Sequence, residues 1–83
     1  MNDKPTIPDV LPLAERYYSL PGNSCGGNLH ICLDDYNVGD SSVEFCLDQA
    51  EEVNDEQGIE LAQLLLKMSK TQRLKLAKSI GQL

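Results

Sequence analysis

This 83-residue chain has no tryptophan, one phenylalanine (Phe45) and three tyrosines (Tyr17, Tyr18, Tyr36), so aromatics make up 5% of it. Any core must therefore be largely aliphatic, and the 41% apolar share is enough for a folded domain. Apolar runs stop at three residues, as in Leu64-Leu65-Leu66, far short of the roughly 18 that a membrane-spanning helix needs. The start, Met1-Asn2-Asp3-Lys4-Pro5, lacks the basic-then-apolar order of a secretory signal. The cysteines, Cys25, Cys32 and Cys46, are odd in number, which fits reduced thiols in a cytoplasm better than a disulfide framework. At 83 residues the expectation is one domain and not a multidomain enzyme. A domain of this size buries only about 60–65% of its unfolded surface, which predicts modest stability.

Charge of one sign is missing from two long blocks. Residues 34–60 hold no base and ten acids: Asp34, Asp35, Asp40, Glu44, Asp48, Glu51, Glu52, Asp55, Glu56 and Glu60. Residues 61–83 hold no acid and five bases: Lys67, Lys70, Arg73, Lys75 and Lys78. The net charge is −6. Such polarity can mark a partner surface. The plainer account is that acidic and basic helices attract each other or are simply solvated, and exposed pairs contribute little each.

Periodicity predicts helices. Residues 1–9, with Pro5 and Pro8, read as an extended lead-in, and residues 10–83 as a single helical domain. Val10, Leu13, Ala14 and Tyr17 recur at i, i+3, i+4 and i+7, with Asp9 as N-cap, Pro12 in the first turn and Pro21-Gly22 as the stop. Residues 28–36 fit two patterns. Leu29, Ile31 and Leu33 alternate like an isolated strand, while Leu29, Cys32, Leu33 and Tyr36 fit one face of a short helix. Nothing else in the chain offers a strand partner, which favours the helix. Ser41 and Glu44 form a capping-box signature ahead of Val43, Cys46, Leu47, Ala50 and Val53. Asn54 suits a left-handed stop, and Asp55-Glu56 opens a Leu-rich helix to about Met68, expected to be the most buried. Ser69 and Gln72 cap a final helix carrying Leu74, Leu76, Ala77 and Ile80. The expected fold is all-α: about four helices, with an antiparallel hairpin over residues 41–68 and a C-terminal helix.

One compact candidate site stands out. The only histidine, His30, lies close behind Gly26-Gly27-Asn28 and just ahead of Asp34-Asp35. His30 and Asp34 share a face whether the segment is helix or strand. A carboxylate beside an imidazole raises its basicity and fixes its tautomer, as acid–base work or metal ligation requires. Gly-Gly can let backbone N–H groups approach an anion, or it can simply supply positive φ for a turn. A His–Asp pair can equally tie a loop to a helix. Gly26, Gly27, Asn28, His30, Asp34 and Asp35 are thus candidates for ligand or partner contact, with His30, Asp34 and Asp35 as the catalytic alternative.

Cys25, His30, Cys32 and Cys46 have the right number and type for a closed zinc site, the metal alternative, but their C-x4-H-x-C-x13-C spacing lacks a short knuckle. Cys46 also fits the apolar stripe of its helix. An 83-residue helical chain offers Cys25 or Cys32 little cleft for nucleophilic catalysis. No phosphate-binding G-x-x-x-x-G-K-[ST] loop is present, and no cofactor is expected. The basic tail helix lacks base-reading side chains and the net charge opposes DNA, so direct nucleic-acid binding is not expected.

Several strings carry a resemblance. They are Tyr17-Tyr18, Pro21-Gly22-Asn23, the run from Gly26 to Asn37 (GGNLHICLDDYN), Ser42-Val43-Glu44-Phe45-Cys46 and Leu64-Leu65-Leu66-Lys67-Met68-Ser69. Together they resemble a family of small phage- and prophage-encoded proteins whose hallmark is GG-[SN]-LHI-x-LDD-x-N. The likeness covers about residues 17–76. Tyr36 departs from the hallmark, which has Gly there, and the hallmark does not require Cys25 or Cys32. The resemblance implies a bacterial cytoplasmic setting and no mechanism. The expectation is a small non-enzymatic accessory protein that binds a host or phage macromolecule, with a protein partner and self-association both open.

Overall fold

A computed structural model describes residues 5–23, 27–33 and 35–80. Among them are five α-helices and no strand: α1 (Ile7–Ser19), α2 (His30–Leu33), α3 (Asp40–Glu52), α4 (Glu56–Lys67) and α5 (Lys70–Ile80), with a 3₁₀ turn (Gly27–Leu29) running into α2. The protein is a small all-α domain. Of the 28–36 segment, residues 28–33 take the helical alternative.

Helix α1 starts three residues earlier than Val10, so the lead-in is shorter than expected. Thr6, in extended conformation, precedes the first turn, and Asp9 sits at the third helical position, not at the N-cap. From there its carboxylate accepts from the Thr6 backbone N–H at 3.0 Å and from the Thr6 hydroxyl at 2.9 Å. These bonds, the backbone one foremost, hold the Asp9 carboxyl below the usual range. Pro8 falls in the first turn, where its missing N–H has no intrahelical role. Pro12 then lies in the second turn, not the first; the carbonyl it leaves unpaired is that of Pro8, and both prolines are exposed.

The α3–α4 hairpin has the most extensive contact of any helix pair. Its turn is a Schellman motif: Asn54 is left-handed (φ 57°), the Asp55 N–H reaches the Ala50 carbonyl at 2.8 Å, and the Asn54 N–H reaches that of Glu51 at 3.2 Å. Helix α1 packs on α4 and α5, and α2 on α3 and α5. The core joins Val10, Leu13, Ala14 and Tyr17 to Leu29, Cys32, Leu33, Val43 and Cys46, and these to Leu61, Ala62, Leu65, Leu76, Ala77 and Ile80.

Three expectations are corrected. Helix α3 begins at Asp40 behind an extended Gly39, not at Ser41; Arg73 holds the chain there, chiefly through the Val38 carbonyl at 2.9 Å and also through the Asp40 carboxylate at 2.6 Å. Helix α4 is two-faced: Leu61, Ala62 and Leu65 are buried, Ile59, Leu64 and Leu66 half-buried, and Glu60 and Gln63 exposed. Tyr36 and Val53 leave the stripes assigned to them, standing 45% and 63% exposed, because each lies in the turn beyond its helix.

Candidate functional site

Tyr17 comes from α1, Asn28 from the 3₁₀ turn and Asp55 from the N-cap of α4, and the three close on one another. The Tyr17 hydroxyl donates to Asp55 Oδ2 at 2.8 Å and accepts from the Asn28 backbone N–H at 3.0 Å. Asn28 Nδ2 donates to the same Oδ2 at 2.9 Å, while Asp55 Oδ1 accepts from the Gly58 N–H at 3.2 Å as the cap of α4. Burial, then donation to the Asp55 carboxylate, pushes the Tyr17 phenol well above its usual value. Gly27 makes this closure feasible. Its φ is +55°, and a Cβ there would lie 2.6 Å from the Tyr17 hydroxyl and 2.7 Å from Asn23 Oδ1. At Gly58 a Cβ would stand 2.5 Å from Asp55 Oδ2. Gly27 and Asn28, singled out as candidate ligand or partner contacts, thus form part of a structural clamp between α1, the 3₁₀ turn and α4.

Next to the clamp the surface is open. Gly27, Asn28, His30, Ile31, Phe45 and Gln49 line a shallow groove of about 290 Å³ between the start of α2 and the outer face of α3. His30 and Asp35 are exposed, so the one histidine faces solvent. Gly26, Asp34 and Cys25 lie outside the described residues, and with them the His30–Asp34 pairing. Cys32 and Cys46 do come together, buried, with Sγ atoms 3.4 Å apart. Among the described residues no cluster of three or more metal-ligating side chains forms.

Phe45 is 51% exposed on the side of α3 turned away from the core. Ser41, Glu44, Phe45, Asp48, Gln49 and Glu52 follow i, i+3, i+4, i+7, i+8 and i+11, and all are exposed. They form one helical face: a single aromatic ring set among acids. The sequence reading missed Phe45, although a signal was there. It falls between Val43 and Cys46, out of phase with the buried stripe, and it is the only phenylalanine.

Arg73, counted in the sequence only as one of five bases in a block that either attracts the acidic helices or is solvated, was not singled out. It is 3% exposed. Its guanidinium donates to the Leu65 and Leu66 carbonyls at the end of α4, to the Val38 carbonyl at 2.9 Å and to Asp40 at 2.6 Å. It thereby caps the C-terminus of α4 and ties it to the start of α3. The acidic and basic blocks do attract each other here, through one buried arginine. Asp40 itself is 78% exposed, so the carbonyl bonds carry most of this attachment. An open cavity of about 570 Å³ lies beside it, lined by residues 39–42, 66–70 and Arg73. No helix among the described residues is long and apolar enough to cross a membrane. No protein-family model, curated protein or solved structure matches this chain.

Proposed function

We propose that this is a small non-enzymatic accessory protein, of the phage- or prophage-encoded kind its sequence resembles, working in a bacterial cytoplasm by docking α3 onto a basic protein partner. The observation that carries this reading is Phe45, half-exposed beside a groove and flanked by Glu44, Asp48 and Glu52. Aromatic rings at the centre of a contact supply most of its affinity, and a charged rim sets orientation and speeds encounter. Two copies meeting through this face would bring acid against acid, which favours a different protein over self-association there. The groove lies at the low end of small-ligand pocket volumes and suits a partner side chain better than an enclosed substrate.

The test is capture from bacterial lysate with wild type and the double variant Glu44→Lys/Asp48→Lys. Both positions are exposed, so the variant should fold with near-unchanged stability. The reading expects one basic protein held at low salt, released as salt rises, and lost with the double variant. A partner held equally by the variant would refute the acidic face. Hydrolytic activity abolished by His30→Ala in a normally folded protein would instead support the rival reading at Gly27, His30 and Asp35.

A further inference from the structure

Two buried thiols on α2 and α3 are not used by the docking reading. Cys32, in α2, and Cys46, in α3, are both buried, and their sulfur atoms are 3.4 Å apart. They sit one residue in sequence behind the groove walls, next to Ile31 and Phe45. Both are free thiols. A disulfide needs its sulfurs at about 2.05 Å, an approach that rotation of two side chains and a slight shift of a single-turn helix can supply.

We propose that Cys32 and Cys46 form an oxidation site at which a hydroperoxide, hydrogen peroxide being the simplest, converts the dithiol to a disulfide joining α2 to α3. The Cys46 sulfur attacks one peroxide oxygen, the O–O bond breaks, and the departing hydroxide takes up a proton as water. Cys46 is then a sulfenic acid. The Cys32 sulfur attacks the Cys46 sulfur, the S–O bond breaks, and the released hydroxide takes the Cys32 proton as a second water. Two thiols have lost two electrons and two protons, and the peroxide has gained them.

The surroundings suit this order. The hydrogen bond with Cys32 holds the Cys46 thiol below its usual range, and His30 acts in the same direction. The same bond, and burial, push the Cys32 thiol up. A thiolate is the nucleophile toward peroxide, so Cys46 attacks and Cys32 resolves. Burial excludes bulky disulfide reagents, whereas peroxide is about the size of two waters. The covering helix α2 has only four residues, too short to be stable alone, so brief local opening admits a small oxidant.

The experiment treats the full chain with hydrogen peroxide, quenches it, and measures intact mass, free thiols after denaturation, cross-linked peptides and thermal melting. Expected are a loss of two hydrogen atoms, a fall from three free thiols to one, and a peptide linking Cys32 to Cys46. Dithiothreitol should reverse all three. Closing a loop between positions 14 apart should raise the melting temperature of the oxidised form by about 10–20 °C. Cys25→Ser should oxidise like wild type, whereas Cys32→Ala should lose the cross-link and gain oxygen on Cys46. The proposal fails if the cross-link involves Cys25, if wild type gains only oxygen, or if the folded protein is inert at a dose that oxidises it in urea. Stoichiometric zinc in the purified protein would also overturn it, since the thiolates would then serve as ligands.

Discussion

Arg73 and His30 both sit near helix starts, at positions where the sequence alone suggests a surface role. Arg73 is enclosed by the end of α4 and the start of α3, with four acceptors around its guanidinium. His30 stands in the open beside Phe45. The same contrast divides the wider molecule. At the Arg73 corner and the Tyr17–Asn28–Asp55 clamp, polar groups satisfy one another and hold helices together. On the outer face of α3, acids and one aromatic ring satisfy nothing within the described chain. A charged side chain's role here follows from what the tertiary fold brings to it, and a free polar face with an apolar centre is what a partner would need.

The sharpest way to break this contrast is Arg73→Ala. It strands the Val38, Leu65 and Leu66 carbonyls and opens a void, so unfolding in urea should show a loss of about 3 kcal/mol or more. Arg73→Lys should recover little of it, because one ammonium cannot span acceptors on two helix ends. Tyr17→Phe comes next. It leaves Asp55 and the Asn28 N–H each short of a partner and should lower stability by about 1–2 kcal/mol. The phenol is raised in the folded state, so its contribution is complete below about pH 10 and declines above, where the unfolded chain releases the proton first. Wild type should therefore lose more stability than Tyr17→Phe between pH 9 and 11, read as the difference between their melting curves. Tyr36→Gly should have a smaller effect of opposite sign. Tyr36 is exposed and left-handed at φ 57°, so glycine relieves strain and should stabilise by up to about 1 kcal/mol. Last, His30→Ala should change the unfolding free energy, read from urea titration, by no more than about 0.5 kcal/mol. A large loss there would mean that His30 belongs with Arg73 among the structural groups.

What was legible in the sequence was local. The all-α class, the stop at Asn54, the Asp55 start of α4 and the Ser69 cap, whose hydroxyl accepts from the Gln72 N–H at 3.2 Å, each rest on residues a few positions apart. The helix starts at Thr6 and Gly39 were displaced from the expected Asp9 and Ser41 because more than one residue could serve. At α3 the choice fell to Arg73, 33 residues away. The candidate site was legible as a place and not as a set of roles. Asn28 was marked by its neighbours, but what it bonds, Tyr17 and Asp55, lies 11 and 27 residues away, and no spacing rule connects them. Tyr17, Gly27 and Asn28, all within strings the sequence singles out, thus serve to hold the fold together. Tyr36 adopts a left-handed backbone conformation that glycine favours, which no local pattern marked. Phe45 could have been found by asking which apolar residue fails to fit its own helix's stripe.

The docking face is tested most directly by Phe45→Ser, measured for partner affinity and for urea unfolding in the same preparation. The account predicts at least tenfold weaker binding with a midpoint unchanged within error, since the ring is half-exposed and free of the core. A lowered midpoint with affinity intact would contradict it, placing Phe45 among the groups that hold the helices together.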